Sequence, residues 1–307
     1  PPLRRLLVVT NTRKSRRARS TKLRGFPFIL PTLIILIAVV AVPLLFSLVV
    51  SFSNYTFISP RLGLFAGLRN YVSALSNEYF WNSLWVTIKF ALFVVTLEFV
   101  LGFSIALLLN RDIKCKAVFY TILTIPMVMS PVAVGLIWKM LLHADLGIVN
   151  HVISALGWHP VDWLGSPGGA IWSILMVDIW QQVSFMILVL LAGLVSLPKE
   201  PFEAAKIDGA NPVQTLTRIT VPLMSPVIVT ALLIRLIFAF RTYDLIYVMT
   251  KGGPGVATDV ISYYIYKRTF MGLNLAEAAA LSWVLLLVVL GIVVALFKAI
   301  IRQQEAY

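Results

Sequence analysis

Six apolar stretches, near residues 28–51, 82–109, 118–141, 170–194, 219–240 and 276–300, are each long enough to cross a bilayer, which takes about 20 mostly apolar residues in a helix. In lipid every backbone N–H and C=O must find its partner within the protein, so stretches of this length are helices. The composition agrees: 59% of the residues are hydrophobic and 13% charged, where a soluble domain carries about 25% charged residues. The chain therefore reads as an all-α integral membrane protein with six transmembrane helices, and an ordinary soluble enzyme is excluded. The first stretch follows a basic tail longer than the n-region of a secretory signal, so it reads as a retained span.

Net charge of +13 resembles a nucleic-acid signature only until it is located. Residues 1–25 hold nine Lys/Arg and no acid, leaving 17 basic against 13 acidic residues elsewhere. A basic tail beside a hydrophobic helix reports membrane orientation, and no nucleic-acid partner is implied. One set of connectors, containing the tail, Arg111, Lys114, Lys116, Lys199, Lys206, Arg218, Lys298 and Arg302, carries seventeen Lys/Arg; the other holds Arg61, Arg69, Lys251, Lys267 and Arg268. Cytoplasmic loops carry the excess, which puts both termini in the cytoplasm. The connector 142–169 has no Lys or Arg and contains Trp158 and Trp163, as suits an outer loop with aromatics at the interface.

The cytoplasmic segment 195–218 has helical punctuation of its own. Pro201 suits a first helical turn, and Glu203 follows where an acid favours the positive helix end. Gly209 stops that helix, being the residue that best tolerates a left-handed backbone. Asn211 is an N-cap, Pro212 takes the first position, and Gln214 completes a variant capping box. A second short helix is expected to about Ile219, with Pro222 marking entry into the fifth span. The pattern predicts a helix-turn-helix on the cytoplasmic surface, with Ala204, Ala205 and Ala210 flattening its face; on these residues alone an amphipathic connector resting on headgroups fits equally.

The wording of this loop resembles the EAA loop of ATP-binding cassette importer permeases: Glu203, Ala204, Ala205, Asp208, Gly209, Ala210, Leu216, Ile219 and Pro222 fall at its set distances. Leu216 stands where that family often has Phe. The run from Tyr243 to Gly255 is similar to the outer loop after the fifth span in the carbohydrate-uptake branch, the maltose and glycerol-phosphate type. The resemblance spans residue 28 to the end, and implies a basic cytoplasmic tail (1–27) followed by a six-span permease domain (28–307) in a bacterial plasma (inner) membrane. It implies that 195–218 couples to a separate ATPase through Glu203, Ala204, Ala205, Asp208, Gly209 and Ala210. It also implies a second homologous permease, an ATP-binding subunit dimer carrying ATP and Mg, an extracytoplasmic solute-binding protein, and lipid around the bundle. The chain holds no G-x-x-x-x-G-K-[ST], and GGPG lacks the lysine, so energy comes from a partner and no cofactor is expected here.

Ionisable residues inside spans cost roughly 2.5–3.5 kcal/mol on insertion scales and mark pairs, cavities or snorkelling chains. Lys89 and Lys139 lie near outer ends and snorkel; Glu98, deeper, is read as hydrogen-bonded to a neighbouring helix. Asp178, Gln182 and Phe185 share one face of the fourth span, with Trp180, Gln181 and Ser184 close by. Such a polar and aromatic face suits a sugar, or alternatively glues helices together. The resemblance favours the sugar reading, since this part of the span lines the sugar cavity in the maltose-type permease. Arg235 lies about 20 Å along the fifth span and Asp178 about 18 Å above the inner face, so they reach one depth. They are expected to pair, with substrate contact as the alternative. Arg241 and Tyr243 complete the candidate substrate-binding residues, and two arginines leave open whether the solute is a neutral or an acidic sugar.

No catalytic residue is assigned. Cys115 is the single cysteine, which excludes a disulfide scaffold and a cysteine zinc site. His143, His151 and His159 lack the close spacing of metal ligands, so no metal site is expected. GSPGG at 165–169 is a turn and not the G-x-S-x-G of a hydrolase. The rival to an importer permease is a stand-alone secondary transporter or channel, which needs repeats or broken helices with ion ligands.

Overall fold

The computed structural model describes residues 28–60 and 65–304. The basic tail, Arg61 and the last three residues lie outside the described residues. Among those described the chain is helical, with one isolated bridge between Ser53 and Phe65 and no strand. Five helical runs are long and apolar enough to cross a membrane: Phe28–Ser51, Glu78–Leu109, Pro167–Val195, Pro212–Met249 and Leu275–Lys298. We label the helices in chain order: α1, Phe28–Ser51; α2, Arg69–Leu75; α3, Glu78–Leu109; α4, Lys116–Val128; α5, Pro131–Leu141; α6, Ile148–Ala155; α7, Pro167–Val195; α8, Glu200–Ile207; α9, Pro212–Thr215; α10, Val221–Phe240; α11, Asp244–Met249; α12, Ile261–Tyr266; and α13, Leu275–Gln304.

The third expected span, 118–141, is not one straight helix. It is α4 and α5, bent by 96° at the break between them, so the chain has six spans only if the bent pair is one. Met129 and Ser130 are both extended, because Pro131 disfavours a helical backbone before it. Pro126 has already removed one donor from the last turn of α4.

The passage into the fifth span also differs from the sequence expectation. No separate short helix ends near Ile219; the helix runs on from Pro212 past Pro222, through a wide i→i+5 segment at Leu216–Thr220. Pro222 brings no N–H, and the extra residue in that segment shifts the register where the donor is missing. Thr220 Oγ1 bonds the Thr215 carbonyl across it at 3.2 Å.

α7 is the central element: 56% of its most apolar stretch is buried, against 6% for α1 and 11% for α13. The peripheral helices show their apolar sides to lipid, where a hydrophobic all-round surface costs nothing. α3 lies closest to α7. Gly102 makes that approach possible, since a Cβ there would stand 2.6 Å from Met186 Cβ. Gly193 does the same between α7 and α10, facing Met224 and Val227 at 2.8 Å. These small-residue contacts, one in mid-helix at Gly102 and one at the end of α7 at Gly193, bring α3 and α10 against α7, and between the three the polar groups converge.

Candidate functional site

Arg235 on α10 lies at the centre of a buried ionic cluster. Its Nε donates to Glu98 Oε2 at 2.5 Å and its Nη2 to Glu98 Oε1 at 2.8 Å, a two-pronged contact with α3. The same Nη2 donates to Asp178 Oδ2 on α7. Glu98, Asp178 and Arg235 are 0%, 3% and 1% exposed. The pairing of Asp178 with Arg235, expected from depth, is present; Glu98 is the partner not named from sequence. The planar guanidinium fork suits this task, since it offers parallel donors to one carboxylate and a further one to another.

A cavity of about 370 Å³ opens beside the cluster, within the range of small-molecule sites. Of the eight residues expected at a substrate site, Asp178, Gln181, Gln182, Phe185, Arg235, Arg241 and Tyr243 line it. Trp180 is not among the lining residues. It packs edge-on against Trp138 of α5, with centroids 5.6 Å apart. Met127 and Pro131, one on each side of the α4–α5 break, line the cavity as well, with Phe238, Thr242, Asp244 and Leu245; no sequence signal had tied the break to this site.

The face of α7 divides its work between the two uses that its residues allow. Gln181 Nε2 donates to the Met129 carbonyl at 2.9 Å, and Ser184 Oγ donates to the Leu123 carbonyl. Both carbonyls belong to the broken span. Gln181 thus satisfies a carbonyl at the break, and Ser184 adds a second bond to α4. Gln181 Oε1 stays buried without a protein partner. Gln182 and Phe185 are half-buried and turn toward the cavity; Phe185 meets Phe238 edge-on, centroids 6.4 Å apart. Polar acceptors and donors beside ring faces are what a polyhydroxylated ring needs: hydroxyls bond the former and C–H faces stack on the latter.

The two arginines have different surroundings. Arg235 spends Nε and Nη2 on carboxylates. Arg241 is exposed, and among the described residues no carboxylate lies within ion-pair distance of it. It is the cation at this cavity with charge to offer.

At the other end of the bundle, α8 begins with Pro201 in its first turn and Glu200 and Glu203 beside it. Gly209 ends it with φ +73°, and Ala210 N–H returns to the Ala205 carbonyl at 2.9 Å. Asn211 and Gln214 form a reciprocal capping box, each side chain accepting from the other's backbone N–H at 2.8 Å. Glu203, Ala204 and Asp208 are exposed, Ala210 is half-buried and Ala205 is buried. Ile207 and Val213, which the sequence had not singled out, are 86% and 68% exposed on either side of the Gly209 turn. Lys89 lies over the Trp85 ring and Lys139 donates to the Val248 carbonyl.

With this geometry in hand, comparison with known proteins is informative. The chain is 37% identical over 281 residues to the trehalose/maltose transport system permease protein MalF of Thermococcus litoralis, covering 91% of this chain and 94% of that protein. Its fold matches the crystal structure of a bacterial ABC transporter involved in the import of the acidic polysaccharide alginate, with TM-score 0.81, 25% identity, and coverage of 93% of this chain and 99% of the other. A second structure, of the bacterial alginate ABC transporter in complex with an alginate pentasaccharide-bound periplasmic protein, matches with TM-score 0.79 and 25% identity over 91% of this chain and 94% of the other. The model of one family of multi-pass transport subunits matches residues 98–305, more than half of the chain. By these matches, the chain belongs to the family of binding-protein-dependent transport system inner membrane components.

Proposed function

We propose that this chain is the permease subunit of an importer for a sugar or sugar-like solute, with the cavity at the α4–α5 break as its solute path. The observation that carries this reading is the lining: Gln182 and the free Gln181 Oε1 for hydroxyls, the Phe185 and Phe238 rings for stacking, and Tyr243 at the edge. Asp178 is held by Arg235 and supplies an oriented carboxylate, while Arg235 itself acts through Asp178 rather than on the solute. Arg241 and Asp244, both exposed at this cavity, set its charge between them. The relatives transport trehalose or maltose in one case and an acidic polysaccharide in the other, which leaves both solute classes open for this cavity.

In this reading the chain forms half of the pathway, with a second homologous permease forming the other half. A dimer of separate ATP-binding subunits hydrolyses ATP with Mg²⁺, and a solute-binding protein delivers the solute from outside. Residues 195–218 are the docking element. Glu203, Ala204, Ala205, Asp208, Gly209 and Ala210 shape it, and exposed Ile207 and Val213 give it an apolar tip beyond the spans, where lipid does not cover it. Residues 1–27 are a cytoplasmic tail and 28–307 the permease domain.

Purification of the intact complex with its binding protein, followed by a screen of neutral and acidic mono- and oligosaccharides, identifies the solute. In reconstituted vesicles Gln182→Ala and Phe185→Ala are expected to lower its uptake about five- to fiftyfold, the effect of losing one hydrogen bond or one ring contact. Arg241→Gln is expected to lower uptake of an acidic sugar and to spare a neutral one. Wild-type uptake in both of the first two variants would move the path elsewhere.

Orientation has its own test. Cys115 is exposed in the connector between α3 and α4, inside the Arg111–Lys116 basic cluster, and both termini share its side. A membrane-impermeant thiol reagent is expected to leave Cys115 unlabelled in intact cells and to label it in inverted vesicles. The reverse pattern overturns the orientation.

A further inference from the structure

At the end of the bundle remote from α8, a row of aromatic rings leads away from the cavity. Tyr243, at the cavity edge, packs on Tyr266 with centroids 5.2 Å apart; Tyr266 packs on Phe270 at 5.1 Å; and Phe270 stacks on Phe57 at 6.3 Å. Tyr247 flanks the row, 5.4 Å from Tyr243 and 5.6 Å from Tyr266. The row thus crosses from the foot of α11, over the end of α12, to the loop that follows α1.

Two properties separate these rings from an ordinary aromatic core. They are open on one side: Phe270 is 59% exposed, Phe57 47% and Tyr247 38%, with Tyr243 and Tyr266 half-buried. They are also held from behind. Lys267 bonds Asp259 Oδ2 at 2.6 Å and sits over the Tyr263 ring, Ser262 Oγ donates to the Thr242 carbonyl at 2.5 Å, and Phe57 N–H donates to the Leu273 carbonyl at 3.1 Å. Rings fixed in this way lose little freedom when a ligand arrives. Exposed Tyr79, Trp81 and Trp158 lie at this end too, as interfacial aromatics do; the row differs from them in running ring to ring up to the cavity.

We propose that the row is an outer stacking platform on which pyranose rings of the solute pass toward the cavity. The proposal rests on the sugar-permease reading above. Ring faces take the C–H faces of a sugar, and the tyrosine hydroxyls take its rim. Several adjoining sites of similar, modest strength suit a path, since a solute must bind well enough to enter and weakly enough to leave.

The test uses the complete complex in vesicles with its binding protein, and as probe the radiolabelled sugar that the binding protein retains. Tyr266→Ala and Phe270→Ala are expected to cut sugar imported per ATP hydrolysed about three- to tenfold, with sugar-stimulated hydrolysis unchanged, as a role confined to the passing solute requires. Tyr266→Phe keeps the ring but loses the hydroxyl and is expected to fall between Tyr266→Ala and the wild type, while Phe270→Tyr is expected to import as the wild type does. Unchanged import per ATP in both alanine variants overturns the platform. So does a parallel fall of import and hydrolysis, or a Tyr266→Phe variant as defective as Tyr266→Ala, since either marks a structural role. Gln182→Ala and Phe185→Ala, measured beside them, test the cavity reading separately: normal import in both removes that reading whatever the platform variants do.

Discussion

Replacing Arg235 with methionine is expected to cost the bundle about 3–5 kcal/mol of stability, the typical effect of removing one member of a buried ionic group. Methionine fills much of the same volume, so the loss is electrostatic. Glu98 and Asp178, 0% and 3% exposed, are left facing each other without the cation that both bond. Arg235→Lys keeps the charge but not the fork, and one ammonium on a flexible stem reproduces the two-pronged Glu98 contact and the Asp178 contact poorly; it is expected to fall between. Unfolding followed by tryptophan fluorescence in nanodiscs measures all three. The triple variant Glu98→Gln, Asp178→Asn, Arg235→Met removes the orphaned charges together and is expected to recover part of the loss. An Arg235→Met protein within about 1 kcal/mol of the wild type is incompatible with this account.

The second large effect is on coupling. Gly209→Pro is expected to abolish solute-stimulated ATP hydrolysis in the reconstituted complex while the unfolding of the spans stays near that of the wild type. Gly209 has φ +73°, whereas proline fixes φ near −65° and removes the N–H, which here reaches the Lys206 carbonyl at 3.3 Å. A Cβ at Gly209 meets nothing within 4 Å, so the harm comes from the backbone and not from crowding. Gly209→Ala, which pays only the left-handed penalty, is expected to retain much of the stimulation. Glu203→Ala, at an exposed position, leaves the fold alone and is expected to reduce stimulation at least about tenfold if its charge is buried against the ATPase. Wild-type stimulation in both Gly209→Pro and Glu203→Ala would remove 195–218 from the docking role.

Much of this architecture was legible because lipid leaves few choices. Apolar runs of spanning length, and the depth arithmetic that brought Asp178 and Arg235 to one level, needed only the helical rise. The same arithmetic reaches Glu98: it stands 11 residues before Leu109, the end of α3, or about 17 Å from that end. The bend within the third stretch went unread for a different reason. Counting apolar residues is blind to backbone direction, while Pro126 and the Ser130–Pro131 step changed that direction by removing donors and excluding the helical backbone. The capping box at Asn211 could be read because it is local chemistry. The exposure of Ile207 and Val213 could not, since an apolar side chain acquires meaning only when the fold leaves it uncovered. Gln181 and Ser184 were ambiguous between solute and helix contact for a related reason: their carbonyl partners lie on α4 and at the break that follows it, and only the fold brings these beside α7.

That break also divides the span mechanically. α4 packs chiefly along α7, while α5 packs chiefly against α11, so the two arms of the bent pair are fastened to different neighbours and stand at 96° to each other. A straight rod transmits thrust along its axis. An elbow does not: when α7 and α11 shift relative to one another, the joint at Met129 and Ser130 absorbs the mismatch through a few backbone torsions, and the lateral bonds from Gln181 and Ser184 act as the ties that limit its travel. Met127 and Pro131, on either side of that joint, belong to the cavity wall, so any turn of the joint would change the cavity's width.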